Sequence, residues 1–299
     1  MKKLLMTGAT GFVGKNVLPL LESQYYVTTC GRSSENSIRS DLSKEIPVFS
    51  DKYDIVLHAA GKAHTVPKTE DEIKEYYDIN YQGTVNLCTS FEKSGVPETI
   101  IYVSSAAGYG CDEGEDVRET HVLNSKTPYA ISKKKAEDYL CNWCLEHQVR
   151  LSIIRPSLIA GPNPPGNLGS MINGIASGRY LSIAGGKTRK SVLMVEDIAR
   201  LVPLLEQKGG IYNVCSDDQP SFRELERVIC NQLGRKMPTN IPLCGAKCMA
   251  VIGDMIGKKA PFNTKRLTKM TESLTFSNEK AKKELGWEPL SVIENFRIC

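Results

Sequence analysis

The stretch TPYAISKKKAED, residues 127–138, sets Tyr129 four positions ahead of Lys133. The spacing predicts a helix on which positions i and i+4 lie one above the other, so a phenol and an ammonium share a face. A free phenol, with a pKa of about 10, is a poor base at neutral pH. A nearby cation lowers such a pKa by roughly 1–3 units, each worth about 1.4 kcal/mol, and brings it towards working range as a general acid and base. The alternative is a charged surface carrying an incidental tyrosine. Ser104 and Ser105, in IYVSSAAGYG, close a predicted strand, and in an open parallel sheet ligands sit outside such carboxyl ends. A hydroxyl there can hold a carbonyl or alcohol oxygen while Tyr129 moves the proton.

TGATGFVG, residues 7–14, supplies a second constellation. Gly8, Gly11 and Gly14 follow a predicted strand and open a predicted helix. Glycine in that turn permits positive φ and close backbone approach, and the helix N-terminus offers free N–H groups to a pyrophosphate. Three spaced glycines alone are a weak signal, but between strand and helix at this place they form a strong dinucleotide signature. The end of the second strand carries the ribose discriminator, an acid for a 2′-hydroxyl or a base for a 2′-phosphate. It reads TTCGRSS, with Arg32 and no acid, and a guanidinium forks onto a phosphate. Arg32 favours NADP(H), with NAD as the alternative. Asp41 and Leu42, one loop downstream, are placed to meet the adenine ring.

Both constellations need a frame. KLLMT (3–7), YYVTTC (25–30), YDIVLHAA (53–60), TIIYVSS (99–105), RLSIIRP (150–156) and GIYNVCS (210–216) read as strands. Between them, FVGKNVLPLLES, IKEYYDINYQGTVNLCTSFEKSG and PYAISKKKAEDYLCNWCLEH have helical spacing. The alternation implies right-handed crossovers and an α/β fold, a doubly wound parallel sheet of Rossmann type. Beyond Pro156 the pattern loosens into a Gly/Pro/Asn-rich loop, a helix at 169–178, the basic cluster Lys187, Arg189 and Lys190, and a capping box of Ser221 with Glu224. The expected division is a dinucleotide-binding domain over 1–162 plus about 189–216. A smaller, mixed substrate domain over 163–188 and 217–299 is interleaved with it.

The composition, 41% hydrophobic and 24% charged over 299 residues, is that of a globular protein with a large core. A net charge of +4 suits an anionic small molecule and gives no case for nucleic acid, which asks for a clustered basic face. The apolar run in MKKLLMTGATGF is too short for an export signal, and no stretch approaches the roughly 18 apolar residues of a membrane helix. No membrane partner is expected. The ten scattered cysteines then read as buried, reduced thiols of a cytoplasmic protein. Cys141 with Cys144, and Cys244 with Cys248, have spacings that raise a zinc site, but both pairs fall in helix-like segments and no metal is expected.

The chain resembles the extended short-chain dehydrogenases/reductases of the nucleotide-sugar epimerase/dehydratase group. The resemblance rests on TGATGFVG, HAAGKAH (58–64), DINYQGTVNL (78–87), YVSSAAGYG (102–110), Tyr129-x-x-x-Lys133, RPSLIAGP (155–162), SVLMVEDIA (191–199) and KAKKELGWEP (280–289), in family order. It implies Ser105, Tyr129 and Lys133 as the catalytic triad, with Lys133 also on the nicotinamide ribose and Asn80 supporting the site. Gly8, Gly11, Phe12, Val13 and Gly14 are implied to cradle the pyrophosphate, and Ala59, Ala60 and Gly61 to border the cofactor. Asn167 and Leu168 are implied to meet the nucleotide of a sugar substrate. Where the family has a diphosphate-binding arginine this chain has Lys190, with Arg189 adjacent, and which of the two acts stays open. His64, in a polar loop, is expected to face substrate. The family also implies a homodimer built from two helices per subunit.

Three chemistries share this apparatus. The 4,6-dehydratases of the family carry an Asp-Glu pair after the catalytic hydroxyl, and here those places are Ala106 and Ala107, which argues against dehydration. The remaining pattern is similar to enzymes of bacterial surface polysaccharides acting on UDP-N-acetyl-hexosamine derivatives. Arg32 favours a 4-ketoreductase using NADP(H), and an NAD-retaining 4-epimerase is the competitor. A non-catalytic dinucleotide sensor is disfavoured because the Tyr129–Lys133 pair is kept.

Overall fold

The computed structural model describes residues 1–63, 65–257 and 262–299. Its strands are β1 Lys3–Thr7, β2 Tyr26–Gly31, β3 Ile38–Arg39, β4 Ile55–His58, β5 Thr99–Val103, β6 Gly114–Val117 and β7 Arg150–Pro156. They continue with β8 Leu158–Ala160, β9 Ser182–Ile183, β10 Val192–Met194, β11 Gly210–Val214, β12 Asn240–Ile241 and β13 Leu274–Phe276. The helices are α1 Phe12–Glu22, α2 Glu70–Tyr77, α3 Gly83–Ser94, α4 Pro128–Glu146, α5 Gly166–Ala176 and α6 Glu196–Leu205. After them come α7 Phe222–Leu233, α8 Leu243–Ile256, α9 Thr264–Thr271, α10 Glu279–Leu285 and α11 Val292–Asn295.

Seven strands pair in parallel in the order β11-β7-β5-β4-β1-β2-β3, the Rossmann arrangement expected. β4 and β5 are buried along their whole length, as strands covered by helices on both faces must be. The strand order reverses between β1 and β4, so their carboxyl ends, with that of β5, open a crevice at the switch point. Chain leaving those ends is the glycine turn after Thr7, Ala59–Gly61 after His58, and Ser104–Ser105 after Val103. One apolar cluster packs α1 and α6 on the sheet, and a second packs α3 and α4 on the other face. Trp287 and Ala281 join the first cluster, so α10 and the residue pair after it lie against the sheet rather than apart from it. A third cluster joins α5 and α7 with Val292 and Phe296.

Three readings change in detail. The two-residue β3 at the sheet edge has too little sequence to show a period. The helix expected to run from Ile73 to Gly95 is α2, a π-helical turn over Asp78–Gln82, and α3. The cysteines, all free, are not uniformly buried: helical geometry turns Cys144 inward and Cys141 outward, and Cys244 and Cys248 are exposed on α8.

The glycine turn is held by sterics. Gly8 has φ +77°, and a Cβ on it would sit 2.6 Å from the Ala60 nitrogen. A Cβ on Gly14 would lie 2.2 Å from the Gly8 carbonyl oxygen, whereas one on Gly11 meets only that oxygen, at 3.3 Å. Gly14→Ala is therefore expected to destabilise the fold by about 1–3 kcal/mol. Gly11→Ala should leave stability nearly unchanged and weaken dinucleotide binding. Urea unfolding and cofactor titration of the two variants check the contrast.

Candidate active site

Gly11 caps α1 in an extended conformation, with no side chain over the first free N–H groups of the helix. With Gly8 pressed on Ala59 and Ala60, and Gly11 open on its outer side, the turn leaves a bare backbone concavity that fits a pyrophosphate. Phe12 and Val13, half-buried, anchor the helix start on the first core cluster. Thr7 fixes the neighbouring strand end: its hydroxyl accepts from the Ala60 N–H at 3.2 Å and pairs with His58 Nδ1 at 2.7 Å. His58 Nε2 meets the Thr84 hydroxyl at 2.9 Å, and that hydroxyl donates to the Asn80 carbonyl. With Thr84's proton spent there, His58 carries its own on Nε2 and accepts from Thr7 on Nδ1. Burial, with Lys133 adding to it, pushes the imidazole down to about 3, so His58 is a neutral strut.

Tyr129 and Lys133 occupy the first two turns of α4, which starts on a Thr127 cap and Pro128. Lys133 is buried, and its amine donates to the Val103 carbonyl at 2.6 Å and lies 4.1 Å from the centre of the Tyr102 ring. Burial pushes this amine down to about 7, against the raising influence of Glu137 one turn on. The folded protein sheds that proton near pH 7 and the unfolded chain near 10.5, so charged Lys133 costs stability below pH 7, and the cost fades as pH rises to 10.5.

The expected lowering of the Tyr129 phenol by Lys133 is not what the structure shows. Burial raises the phenol above its ordinary value, and a hydrogen bond with Ser105 only partly offsets this. The reason is the geometry of Lys133, whose amine is engaged by Val103 and Tyr102. Ser105 is half-buried and caps the 3-10 turn Ala106–Tyr109, accepting from the Ala107 N–H at 3.2 Å. Ser104 is turned inward and donates to Glu137, so of the two hydroxyls only that of Ser105 meets the phenol.

Asn80 lies in the π-helical turn and is buried. Its side chain accepts from the Lys62 N–H at 2.7 Å and donates to Ser132 Oγ at 2.9 Å, tying the loop after β4 to α4. A Cβ on Gly61 would be 3.1 Å from Asn80 Oδ1 and 3.8 Å from Lys133 Nζ, so all three converge at one point. Two supports were not anticipated. Tyr76, fully buried, sets its ring edge-on to Tyr129 at 6.2 Å. Glu137 pairs with Arg155 at 2.6 Å, and Arg155 donates to the Tyr109 hydroxyl at 3.1 Å, both charges being buried under Ser104. The i, i+4, i+8 run of Tyr129, Lys133 and Glu137 is the signal that could have found Glu137.

Arg32 is exposed at the end of β2, and Arg39, unanticipated, pairs through its backbone with Gly31 on β3. Despite partial burial, the Asp41 carboxyl is held below the usual range by hydrogen bonds from Ser43 and by Arg32 nearby. Leu42 is buried against Gly83, and its carbonyl accepts from Asn86. Asn167 is exposed at the start of α5, while the Leu168 side chain lies in the third core cluster, which leaves only its backbone for a ligand. Arg189 is exposed and turned to the Gln219 carbonyl at 3.0 Å and to Glu224 at 3.8 Å. Lys190 is half-buried and donates to the Glu272 carbonyl at 2.8 Å. Burial and the Lys269 charge lower its amine, while Asp112, on the loop beyond Ser105, raises it. His64 lies outside the described residues.

Glu137→Ala strands a buried guanidinium and is expected to cost about 3–5 kcal/mol in urea unfolding. Replacing both Glu137 and Arg155 with Met should cost much less, since no uncompensated charge remains.

A family model for the NAD dependent epimerase/dehydratase family matches residues 4–215. The N-acetyl-α-D-glucosaminyl-diphospho-ditrans,octacis-undecaprenol 4-epimerase of Escherichia coli O157:H7 is 27% identical over 301 residues, covering 93% of this chain and 88% of that protein. The GDP-6-deoxy-D-mannose reductase of Pseudomonas aeruginosa is 27% identical over 250 residues, covering 77% of this chain and 80% of its own. The solved structure of RMD from Pseudomonas aeruginosa complexed with NADPH superposes with a TM-score of 0.75 at 22% identity, over 98% of this chain and 95% of that one. The glycine turn, Ser105, Tyr129 and Lys133 all fall within the matched stretch, and the chain belongs to the NAD dependent epimerase/dehydratase family as an NAD(P)-dependent enzyme.

Proposed function

We propose that the chain is an NADP(H)-dependent 4-ketoreductase acting on a sugar carried on a diphosphate, of UDP-N-acetyl-hexosamine type, in surface polysaccharide synthesis. The observation that carries this reading is a half-buried phenol at the start of α4, hydrogen-bonded to Ser105 after β5 and held above its ordinary pKa. A phenol in that state arrives protonated at neutral pH and is a proton donor, which is what an oxygen gaining negative charge during reduction requires. Ser105 orients that oxygen. Lys133, anchored on Val103, holds the face of α4 against the cofactor ribose, with Asn80 fixing the loop beside it. When bound, the nicotinamide supplies the hydride. Gly8, Gly11, Phe12, Val13 and Gly14 hold the pyrophosphate, Ala59, Ala60 and Gly61 border the cofactor, and the backbone at Asp41 and Leu42 flanks the adenine.

Arg32 and Arg39 put two guanidiniums at the β2–β3 edge, where a 2′-phosphate lies, and this supports NADP(H) over NAD. Lys190, at the family's arginine position, takes the substrate diphosphate: among the described residues its amine meets only a neutral carbonyl, that of Glu272, at hydrogen-bond distance, whereas Arg189 is turned onto the Glu224 carboxylate as well as the Gln219 carbonyl. Asn167 and the Leu168 backbone meet the substrate's carrier group. The 4-epimerase remains the second reading, and the extensive similarity to the Escherichia coli O157:H7 epimerase favours it.

Tyr129→Phe is expected to lower turnover of a UDP-4-keto-6-deoxy-N-acetyl-hexosamine by about 10²–10⁴-fold while dinucleotide binding persists. Undiminished turnover excludes the proton-transfer role. Arg32→Ala combined with Arg39→Ala should weaken NADPH binding by about tenfold or more and leave NADH nearly untouched. Interconversion of a UDP-N-acetyl-hexosamine without added cofactor supports the epimerase instead.

A further inference from the structure

Helix α8 is built inside out. Its buried residues are Ala246, Ala250 and Gly253, all small, while its large apolar side chains face outward. Met255 is 83% exposed, Ile256 63%, Val251 and Ile252 57% each, and Leu243 and Met249 39% each. The helix is seated closely: a Cβ on Gly253 would lie 1.8 Å from the Phe262 carbonyl oxygen. Its one acid, Asp254, is turned onto Thr264, accepting from the Thr264 N–H at 3.2 Å and from its hydroxyl. Lys247 is the one cation of the helix, and it is exposed.

Charge is concentrated in the same region. Residues 243–270 hold six lysines and arginines and the single acid Asp254, a net of +5, so the rest of the chain nets −1. At 14 residues, α8 is about 21 Å long, too short to cross a bilayer but suited to lie in its surface. Among the described residues no helix is long and apolar enough to span a membrane. An exposed apolar helix face within the most basic stretch of the sequence, with Lys247 and Lys269 exposed, matches an anionic phospholipid surface, where tails take the apolar groups and headgroups the amines.

We propose that α8 is a membrane-docking face that seats this chain on an anionic phospholipid surface. The expectation of no membrane partner follows from the lack of a spanning segment among the described residues, which does not bear on a helix lying flat on the surface. A cavity of about 690 Å³ opens beside α8, lined by Leu243, Lys247, Val251, Lys187, Thr268 and Glu272 among others. The Glu272 backbone carbonyl accepts from Lys190, so the proposed diphosphate-binding lysine is one hydrogen bond away from a residue of this cavity.

The test is flotation of the full chain with phosphatidylcholine vesicles containing phosphatidylglycerol, against phosphatidylcholine alone. The wild type should float with the anionic vesicles and be released by high salt. Ile252→Glu combined with Met255→Glu should lower the bound fraction by about tenfold or more, with an unchanged thermal midpoint and unchanged turnover of a soluble sugar nucleotide. Tyr129→Phe should float as the wild type does, which keeps this outcome separate from that of the proposed reaction. A wild type that stays in solution, or a charged variant that floats equally well, overturns the proposal. So does a wild type that does not float but self-associates through residues 252 and 255, because the face is then an interface between copies.

Discussion

The Lys133 amine is buried and has one backbone acceptor, the Val103 carbonyl, with the Tyr102 ring beneath it. A charge in such a place is costly, and the neighbouring structure is arranged around that cost. Glu137 lies one turn along α4 and favours the charged form, but it is itself shared with Arg155 and Ser104. The amine is thereby left balanced near neutrality instead of locked into an ion pair. Tyr129 precedes it by one turn and Ser105 follows the strand that carries its acceptor. The position of the lysine therefore sets the position of both hydroxyls.

That arrangement joins three strand ends into one site. The Thr7–His58–Thr84–Asn80 chain of hydrogen bonds ties β1, β4 and the π-helical turn together without introducing a charge. Asn80 then reaches across to α4 through Ser132. The π-helical turn over Asp78–Gln82 aims Asn80 at this junction, and such turns recur at functional sites. Rigid, neutral polar struts suit a site in which one proton is to move.

Much of this was legible from residue types and spacing. Strand runs and glycine positions are local signals, so the sheet, the turn and the Tyr129–Lys133 face could be read directly. What could not be read depends on contacts between distant segments. Whether Lys133 lowers the phenol turns on where its amine points, and the Val103 carbonyl decides that. Ser104 and Ser105 look alike in sequence, and only Glu137 behind one of them separates their roles. Leu42 and Leu168 appeared as ligand contacts because they sit beside the right positions, yet packing takes both side chains inward. Helix α8 escaped notice because its apolar residues follow a helical period that reads equally as a buried face.

The most direct measurement is a pH titration of the Lys133 side chain by NMR, with lysine carbon-13 labelled at the ε position and Lys133→Met for assignment. Titration near pH 7 is expected if burial governs the amine as described. A midpoint near 10.5, the value of a solvated lysine, contradicts a buried amine and with it the placing of Tyr129 and Ser105.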